Sequence, residues 1–399
     1  MTVGTLVDTE IKARNRGLST VKGLYFLVFA AIGALFPFLN IYYYGIGLSG
    51  TQIGLINTVA PLVGAFSAVF WGMLNDRMGK IRLLLTLSTL GVIGAVLALS
   101  QSNVFFWILP MAAIVSLFGS PMNSLLDSTT LRLLGDRSEE YGRYRIWGAY
   151  GFIITSSITG FILERLGMGW MFYLYAGSML LFLITVQRLP SQPPARLRVS
   201  IVKGMNGMIR RPAWLIFAAS VFLVWFAVTG GFIFIGVTVK NMGGGNQLVG
   251  LASTAAAIAE IPIMLKSSAL LRKFGASRLV GFSMLTYALR EGLYAVMPSP
   301  IWVLFINLLQ AVTYVPLWLG SVAYARELAP DELRSTSQGL LFMVMNLANV
   351  LGAMISGYLF DTIGSHGLFT VLSMICVAAF ALFTLGQALI QRKGVNSAI

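Results

Sequence analysis

The sequence has few of the residues that build disulfides, metal sites and catalytic centres. Its 399 residues include a single cysteine, Cys376, and a single histidine, His366. A lone cysteine cannot form an internal disulfide, and a lone histidine cannot supply a histidine cluster for a metal ion. No acidic D-D-x-x-D cluster occurs either. We therefore predict that the protein is not an enzyme and that it uses no cofactor and no metal.

Charged residues are also scarce, at 11% of the chain, whereas hydrophobic residues make up 57%. One water-soluble core cannot hide so much apolar surface. Apolar runs long enough to cross a hydrocarbon layer of roughly 30 Å as helices recur along the whole chain. They predict an all-α membrane protein of about twelve transmembrane helices. The predicted spans are 21–44, 53–74, 83–101, 105–126, 146–163, 170–187, 214–239, 249–271, 279–297, 301–324, 337–360 and 368–390.

The positive charges indicate how the chain lies in the membrane. Positively charged loops stay on the cytoplasmic side, and with both termini inside only Arg165 and Lys240 fall in outer loops. The net charge of +14 is then a topology signal that also attracts membrane lipids, and it requires no nucleic acid partner. We predict an integral protein of the cytoplasmic (inner) membrane with both termini in the cytoplasm.

A polar stretch divides the chain, because residues 189–194 read L-P-S-Q-P-P among basic residues. It predicts a cytoplasmic linker over 189–212 between six-helix halves at 1–188 and 213–399. The halves share a repeat: Gly160 followed by Glu164 matches Gly357 followed by Asp361, 197 positions later. Pro121 likewise matches Pro316, 195 positions later. Two matches at nearly the same offset indicate a duplication into two pseudo-symmetric halves.

The loop after the second span reads G-M-L-N-D-R-M-G-K-I-R. It contains Gly72, Asp76, Arg77, Gly79 and Arg82, and it resembles the signature loop of the major facilitator superfamily. The resemblance implies the major facilitator fold and a loop that biases a conformational switch. By residue type, Gly72 permits a close helix approach, Asp76 pairs with a basic group or helix end, and Arg77 meets a carboxylate or phosphate. The alternative is a basic loop that only fixes topology.

A narrower set of motifs lies in both halves: F-P-F at 36–38, Y-G-R-Y-R-I-W-G at 141–148, A-E at 259–260, Arg290 and V-P at 315–316. These resemble the lactose permease-like sugar and nucleoside proton symporters. The resemblance implies that Arg145 and Glu260 bind substrate. It also implies that Phe152 occupies an aromatic stacking position and that Arg290 assists proton coupling.

Departures from that family concern the titratable residues. The family's His and Glu in span ten correspond here to Ala311 and Tyr314, and its acidic binding position in span four aligns near Ser124. Asp127, one turn further on, either replaces that carboxylate or caps the inner end of its helix. Lactose is therefore not the expected substrate.

The charges within spans eight and nine need a reason, since an ionised residue at a helix centre costs roughly 2.5–3.5 kcal/mol on insertion scales. Counted along their helices, Glu260 and Arg290 differ in depth by about 6 Å, which an arginine side chain can cover. We predict that these two residues pair, as a working site or as a static lock between helices. Glu291 and Lys266 are interpreted as structural.

Polar and aromatic residues are concentrated where a central cavity is expected. Amides also hold membrane helices together for about 0.6 kcal/mol each, so part of this set is structural. As a group it suits a neutral, hydroxyl-rich or heterocyclic solute. The set is Asn40, Asn57, Asn123, Trp225, Asn307, Gln310, Tyr314, Trp318, Asn346 and Asn349.

The function predicted from these patterns is secondary active transport of a small polar solute, sugar-like or nucleoside-like, by a monomer. Symport with protons is favoured, and Na⁺ is the alternative coupling ion. The alternatives are proton-coupled efflux of drugs or metabolites and a non-transporting sensor on the same fold. Efflux is disfavoured because span five lacks the antiporter pattern G-x-x-x-G-P. The candidate binding and coupling residues are Asp127, Arg145, Phe152, Glu260, Arg290, Gln310, Tyr314 and Asn346.

Overall fold

The computed structural model describes residues 3–190, 211–330 and 333–396, with their side chains except those of 3–15, 76, 335 and 391–396. The described residues form helices joined by turns, with no β-strand among them. Each predicted span falls mainly on helical residues. The helices are α1 (Val3–Gly45), α2 (Gly50–Met78), α3 (Ile81–Leu99), α4 (Phe105–Leu134), α5 (Tyr141–Leu166), α6 (Trp170–Val186), α7 (Pro212–Asn241), α8 (Asn246–Leu265), α9 (Ser267–Phe274), α10 (Ala276–Ala295), α11 (Trp302–Leu308), α12 (Gln310–Glu327) and α13 (Arg334–Asn396).

Eight helical segments of the described chain are long and apolar enough to cross a membrane. Two of them, Phe105–Leu166 and Thr336–Ile390, have 62 and 55 residues, whereas one crossing needs about 20. The first holds both α4 and α5, and the second is the bent part of α13. With the shorter apolar helix α6 and with α10, these segments account for the twelve predicted spans. The prediction of an all-α membrane protein is confirmed.

Local backbone geometry changes four of the predicted spans. Span 249–271 is interrupted at Lys266, between α8 and α9, and span 301–324 is interrupted at Leu309, between α11 and α12. The last two spans are joined within α13, which bends at Gly364 with φ of 70°. Glycine adopts this left-handed conformation without steric penalty. Apolarity averaged over a whole span does not report such local breaks.

The described residues fall into two compact units, which do not follow chain order throughout. The first unit holds Met1–Leu48, Val59–Arg198 and Gly245–Thr254. The second holds Ser49–Thr58, Val199–Gly244 and Ala255–Ile399. The first residues of α8 thus belong to the first unit and the rest of α8 to the second. The first residues of α2 belong to the second unit and the rest of α2 to the first. The predicted linker 189–212 lies almost entirely outside the described residues.

In the first unit, α1 packs closely against α5. A Cβ atom added at Gly33 would lie 2.8 Å from the Phe152 carbonyl oxygen, and one at Gly151 would collide with the Phe26 carbonyl. Small residues allow this close approach, and the van der Waals contacts that result stabilise helix association inside a membrane. The crossing determines which residues of α1 stand beside the polar residues of α5.

In the second unit, α7 packs against α13 in a similar way. A Cβ atom added at Gly352 would lie 2.7 Å from the Phe226 carbonyl oxygen. The rings of Phe234 and Phe360 stack further along the same pair of helices, with centroids 4.6 Å apart. Helices α10 and α12 complete the packing around α13.

Each unit also contains a carboxylate that caps the start of a helix. In the second unit, Asp361 accepts hydrogen bonds from the backbone N–H groups of Gly50 at 2.6 Å and Thr51 at 2.8 Å. In the first unit, Glu164 accepts one from the backbone N–H of Asn246. A carboxylate at a helix N-terminus satisfies free donors and the positive end of the dipole. The residues of the sequence repeat therefore make equivalent contacts in the two units.

Candidate functional site

In the first unit, the structure brings together two predicted residues, Asp127 of α4 and Arg145 of α5. The Arg145 Nε atom lies 4.0 Å from Asp127 Oδ1, and the two side chains are 36% and 38% exposed. The Tyr25 hydroxyl of α1 donates to the same carboxylate oxygen at 2.6 Å. Asp127 is thus a partner of Arg145 in this structure, and its role in solute binding stays a prediction.

Aromatic rings of α1 cover the Arg145 guanidinium group. Its carbon lies 4.1 Å from the ring centre of Phe29 and 5.3 Å from that of Tyr25. Gly148 makes room for this stack, since a Cβ atom there would lie 2.8 Å from Phe29 and 2.9 Å from Arg145 Nη1. A cation over a ring face gains about 0.5–2 kcal/mol depending on desolvation. The sequence motif at 141–148 therefore has a physical role for both its arginine and its final glycine.

Phe152, predicted to stack on a solute, stands one turn beyond Gly148 on α5. Its backbone forms the contact surface for Gly33 at the crossing of α1 and α5, and its side chain is half-buried. The predicted stacking role stays a prediction. Sequence reasoning did not single out Tyr25 and Phe29, because rings in an apolar span are indistinguishable from core residues. Their spacing of one helical turn, followed by a glycine one turn later, was the available signal.

In the second unit, Arg290 of α10 is surrounded by neutral oxygen atoms. Its Nη1 atom donates to Gln310 Oε1, its Nη2 atom to Asn307 Oδ1 at 3.3 Å, and its Nε atom to the Tyr294 hydroxyl at 3.1 Å. Thr313 accepts a further hydrogen bond at 3.4 Å. A guanidinium group has five N–H donors and no acceptor, and this shell satisfies most of them without a carboxylate.

Glu260 of α8 belongs to the same cluster, but it does not pair directly with Arg290. The Glu260 carboxylate lies within interaction range of the Gln310 amide and of the Arg290 charge, whereas no ion pair within 4.0 Å joins Glu260 to Arg290 among the described side chains. The predicted direct pair is therefore replaced by a bridge. Gln310 can form it because its amide offers an oxygen to the arginine and an N–H to the carboxylate.

Aromatic residues of the second unit line the same face of α12 as Gln310. Tyr314 and Trp318 follow Gln310 at one-turn intervals, and their rings stack at an angle of 21° with centroids 6.4 Å apart. Trp225 of α7 meets both rings edge-on at 5.9 Å, and Phe342 of α13 contacts Trp318 at 5.7 Å. Tyr314, a predicted site residue, also lies close enough to Glu260 for an electrostatic interaction with its carboxyl group.

The two predicted asparagines of α13 differ in their surroundings. Asn346 lies one turn after Phe342 and is exposed. Asn349 accepts a hydrogen bond from the Thr229 hydroxyl at 2.6 Å and so links α13 to α7. The structure thus assigns Asn349 to helix packing, and the role of Asn346 stays a prediction.

The residues of the predicted switch loop are divided between two helices and the turn that joins them. Gly72, Asp76 and Arg77 lie in the last turns of α2, Gly79 lies in the turn, and Arg82 lies in α3. Gly79 adopts φ of 60° in that turn, and Arg82 donates a hydrogen bond to the Leu189 carbonyl. Arg77 is exposed, and the side chain of Asp76 lies outside the described residues. The prediction for Gly72 differs from the structure, because a Cβ atom there would meet no atom within 4 Å. Gly72 therefore does not mark a close helix contact in this conformation.

Comparison with known proteins gives consistent results. The sequence model of the MFS_1 like family matches residues 18–371. A maltose permease of Geobacillus stearothermophilus is 32% identical over 348 residues, which are 84% of this chain and 86% of the permease. A probable 3-phenylpropionic acid transporter of Escherichia coli (strain K12) is 26% identical over 372 residues, 90% of this chain and 95% of that protein.

A crystal structure shares the fold at low identity. The D323A mutant of the nucleoside transporter NupG matches with a TM-score of 0.84 at 15% sequence identity, over 92% of this chain and 99% of that chain. At this identity the match speaks for the fold alone. The chain therefore belongs to the MFS_1 like family, within the major facilitator superfamily, and it is an integral membrane transporter of a small-molecule solute rather than an enzyme.

Proposed function

We propose that the protein is a proton-coupled symporter that carries a sugar-like or nucleoside-like solute by alternating access. We place it, as a monomer, in the cytoplasmic (inner) membrane with both termini in the cytoplasm. The single observation that carries the coupling is the bridge from Glu260 through Gln310 to Arg290 in the second unit. This bridge is a carboxylate and an arginine inside membrane-spanning helices, linked by a neutral group that can change partners.

The bridge provides a simple means of coupling. While Gln310 links the two charges, the Glu260 carboxylate is compensated by the arginine and by a hydrogen bond. A solute hydroxyl or carbonyl that binds Gln310 breaks this link and leaves the carboxylate less compensated. An uncompensated charge within a bilayer is costly, so uptake of a proton by Glu260 becomes the favourable way to neutralise it. Solute and proton then bind together.

The first unit contributes groups suited to a polar ring. Arg145 and Asp127 offer donors and acceptors that a sugar hydroxyl or a base can meet, and Phe29 and Tyr25 present ring faces beside them. The similarity to a maltose permease supports a sugar, whereas the similarity to a probable 3-phenylpropionic acid transporter supports an aromatic carboxylate as the other solute class. In the second unit, Trp225, Tyr314 and Trp318 suit stacking on a ring of either kind.

The test is solute flux in proteoliposomes of the purified protein. A labelled disaccharide, a nucleoside and an aromatic carboxylate are each offered with an inward proton gradient, an inward Na⁺ gradient, or neither. We expect the disaccharide or the nucleoside to accumulate only with the proton gradient.

Other outcomes of this assay separate the alternatives. Accumulation driven by the Na⁺ gradient would show that Na⁺, and not the proton, is the coupling ion. Accumulation of the aromatic carboxylate alone would show that the solute is of that class, and not a sugar or a nucleoside. Loss of a preloaded solute driven by inward proton movement would identify an antiporter, and absence of flux for every compound in both directions would favour a sensor.

A further inference from the structure

Glu291 is adjacent to Arg290 in sequence but has entirely different surroundings. The Arg290 guanidinium turns toward Gln310 and Asn307, whereas Glu291 is 2% exposed and packs against α7. Gly231 of α7 makes this packing possible, because a Cβ atom there would lie 2.6 and 2.9 Å from the two carboxyl oxygens of Glu291. The carboxyl group thus fills a space that only a glycine on the neighbouring helix leaves open.

The carboxyl group of Glu291 lacks the partners that an ionised group needs. Its Oε2 atom is buried and has no hydrogen-bond partner among the described residues. None of the ion pairs in the described part of the chain includes it. The only cation that acts on it there is Arg290, which is already bound by the neutral shell. The other titratable groups that face it are Tyr287 and Tyr294 of α10 and Cys376 of α13, while Tyr314 of α12 acts on Tyr287.

These surroundings distinguish the two states of the carboxyl group. An ionised carboxylate without paired charge or hydrogen bonds is among the most costly groups to bury, whereas a neutral carboxylic acid exposes only an ordinary O–H dipole. The neutral form is therefore the one that fits the contact with Gly231. The contact also depends on the spacing of two helices, since any separation of α7 from α10 at this glycine would admit water to the carboxyl group.

We propose that Glu291 is a proton-binding site that is loaded in this conformation. A Glu291 carboxylate oxygen takes one proton from water, which forms an O–H bond and cancels the negative charge. The O–H bond breaks and the proton returns to water when α7 draws away from α10 and the carboxyl group is hydrated. Its part in transport rests on the proposed proton-coupled function, and it is distinct from Glu260, which lies on α8 and binds Gln310.

The test is infrared spectroscopy of the full-length protein in proteoliposomes, in H₂O and in D₂O. A protonated carboxylic acid has a C=O stretching band separate from those of carboxylates and amides, and the band shifts on deuteration. We expect this band at neutral pH in the wild type and in Glu260→Gln, and its loss in Glu291→Gln. Glu291→Asp should retain a band at a shifted position. Unchanged amide bands will show that each variant is folded.

Two results would overturn the inference: a band that persists in Glu291→Gln, or no protonated-acid band in the wild type. The spectrum reads the proton on Glu291 whether or not protons drive transport. If the wild type has the band but its solute accumulation does not depend on the proton gradient, the result would count against the proposed symport and not against the proton on Glu291. A proton-driven wild type without the band would count against Glu291 alone.

Discussion

The two units each bring a carboxylate and an arginine together, but they do so in different ways. In the first unit Asp127 and Arg145 face each other at 4.0 Å, more than a third exposed, with ring faces over the arginine. In the second unit Glu260 and Arg290 are joined through an amide, and the arginine is bound by neutral oxygens. The same pair of charges therefore suits two tasks, since an accessible pair can bind a solute and a bridged pair can change partners.

The largest effect that separates the two clusters is expected from Glu260→Gln. The variant imitates the protonated acid and cannot release a proton, so accumulation driven by a proton gradient should be lost while solute exchange across the membrane survives. Counterflow and gradient-driven uptake in the same vesicles measure the two quantities. Glu139→Gln, in the exposed turn before α5, is the matched control. Gradient-driven accumulation with the wild-type pH dependence in Glu260→Gln would place the coupling elsewhere.

The next effect concerns the accessible pair of the first unit. Arg145→Lys replaces a planar group with two donor edges by a point charge, so one charge-assisted hydrogen bond, about 2 kcal/mol, should be lost. Solute affinity, measured by titration calorimetry, should then fall roughly 30-fold. Arg143→Lys, whose side chain is 80% exposed and pairs with Glu140 at 3.6 Å, should leave affinity unchanged. Equal affinity in both variants would remove Arg145 from the binding site.

A smaller effect is expected from Tyr25→Phe, which removes the donor to Asp127 and keeps the ring beside Arg145. One neutral donor contributes about 1 kcal/mol, so solute affinity should fall about 5-fold with coupling unaffected. Tyr42→Phe is the control on the same helix, because its hydroxyl donates to Asn103 at 3.2 Å, away from the pair. A loss of proton coupling in Tyr25→Phe would contradict the division of tasks between the clusters.

The smallest effect concerns the carboxylate caps that the units share. Asp361→Asn removes the charge at the start of α2, and the interaction of such a charge with a helix N-terminus is worth about 0.3–1 kcal/mol. Backbone amides of residues 49–58 should therefore exchange hydrogen about 2- to 5-fold faster, as measured by mass spectrometry. Glu164→Gln should have the same effect on residues 245–254, and Asp136→Asn on neither. An effect of only one of the two caps would show that the repeat is not energetically symmetric.

Several features of the fold were predictable because they depend on local properties of the chain. Apolar runs and basic loops predicted the membrane class and the helices, and the repeat of Gly160 and Glu164 at Gly357 and Asp361 predicted positions that have equivalent contacts. Depth along a helix is also nearly local, and it correctly brought Glu260 and Arg290 into one cluster. The helix breaks at Lys266 and Leu309 were missed, because the average apolarity of a span does not register an interruption at one residue.

By itself, then, the sequence determined the membrane environment, the helices and the residues able to bind a solute or a proton, since hydrophobicity and charge are properties of single residues. Only the tertiary structure decided which of those residues meet. The rotation of each helix about its axis is set by glycine contacts, such as that of Gly33 in α1 with α5 and that of Gly231 in α7 with α10. It placed Tyr25 against Asp127 and Gln310 against Arg290. It also left Glu291, one position from an arginine, without a partner for its charge, because adjacent residues on a helix point about 100° apart.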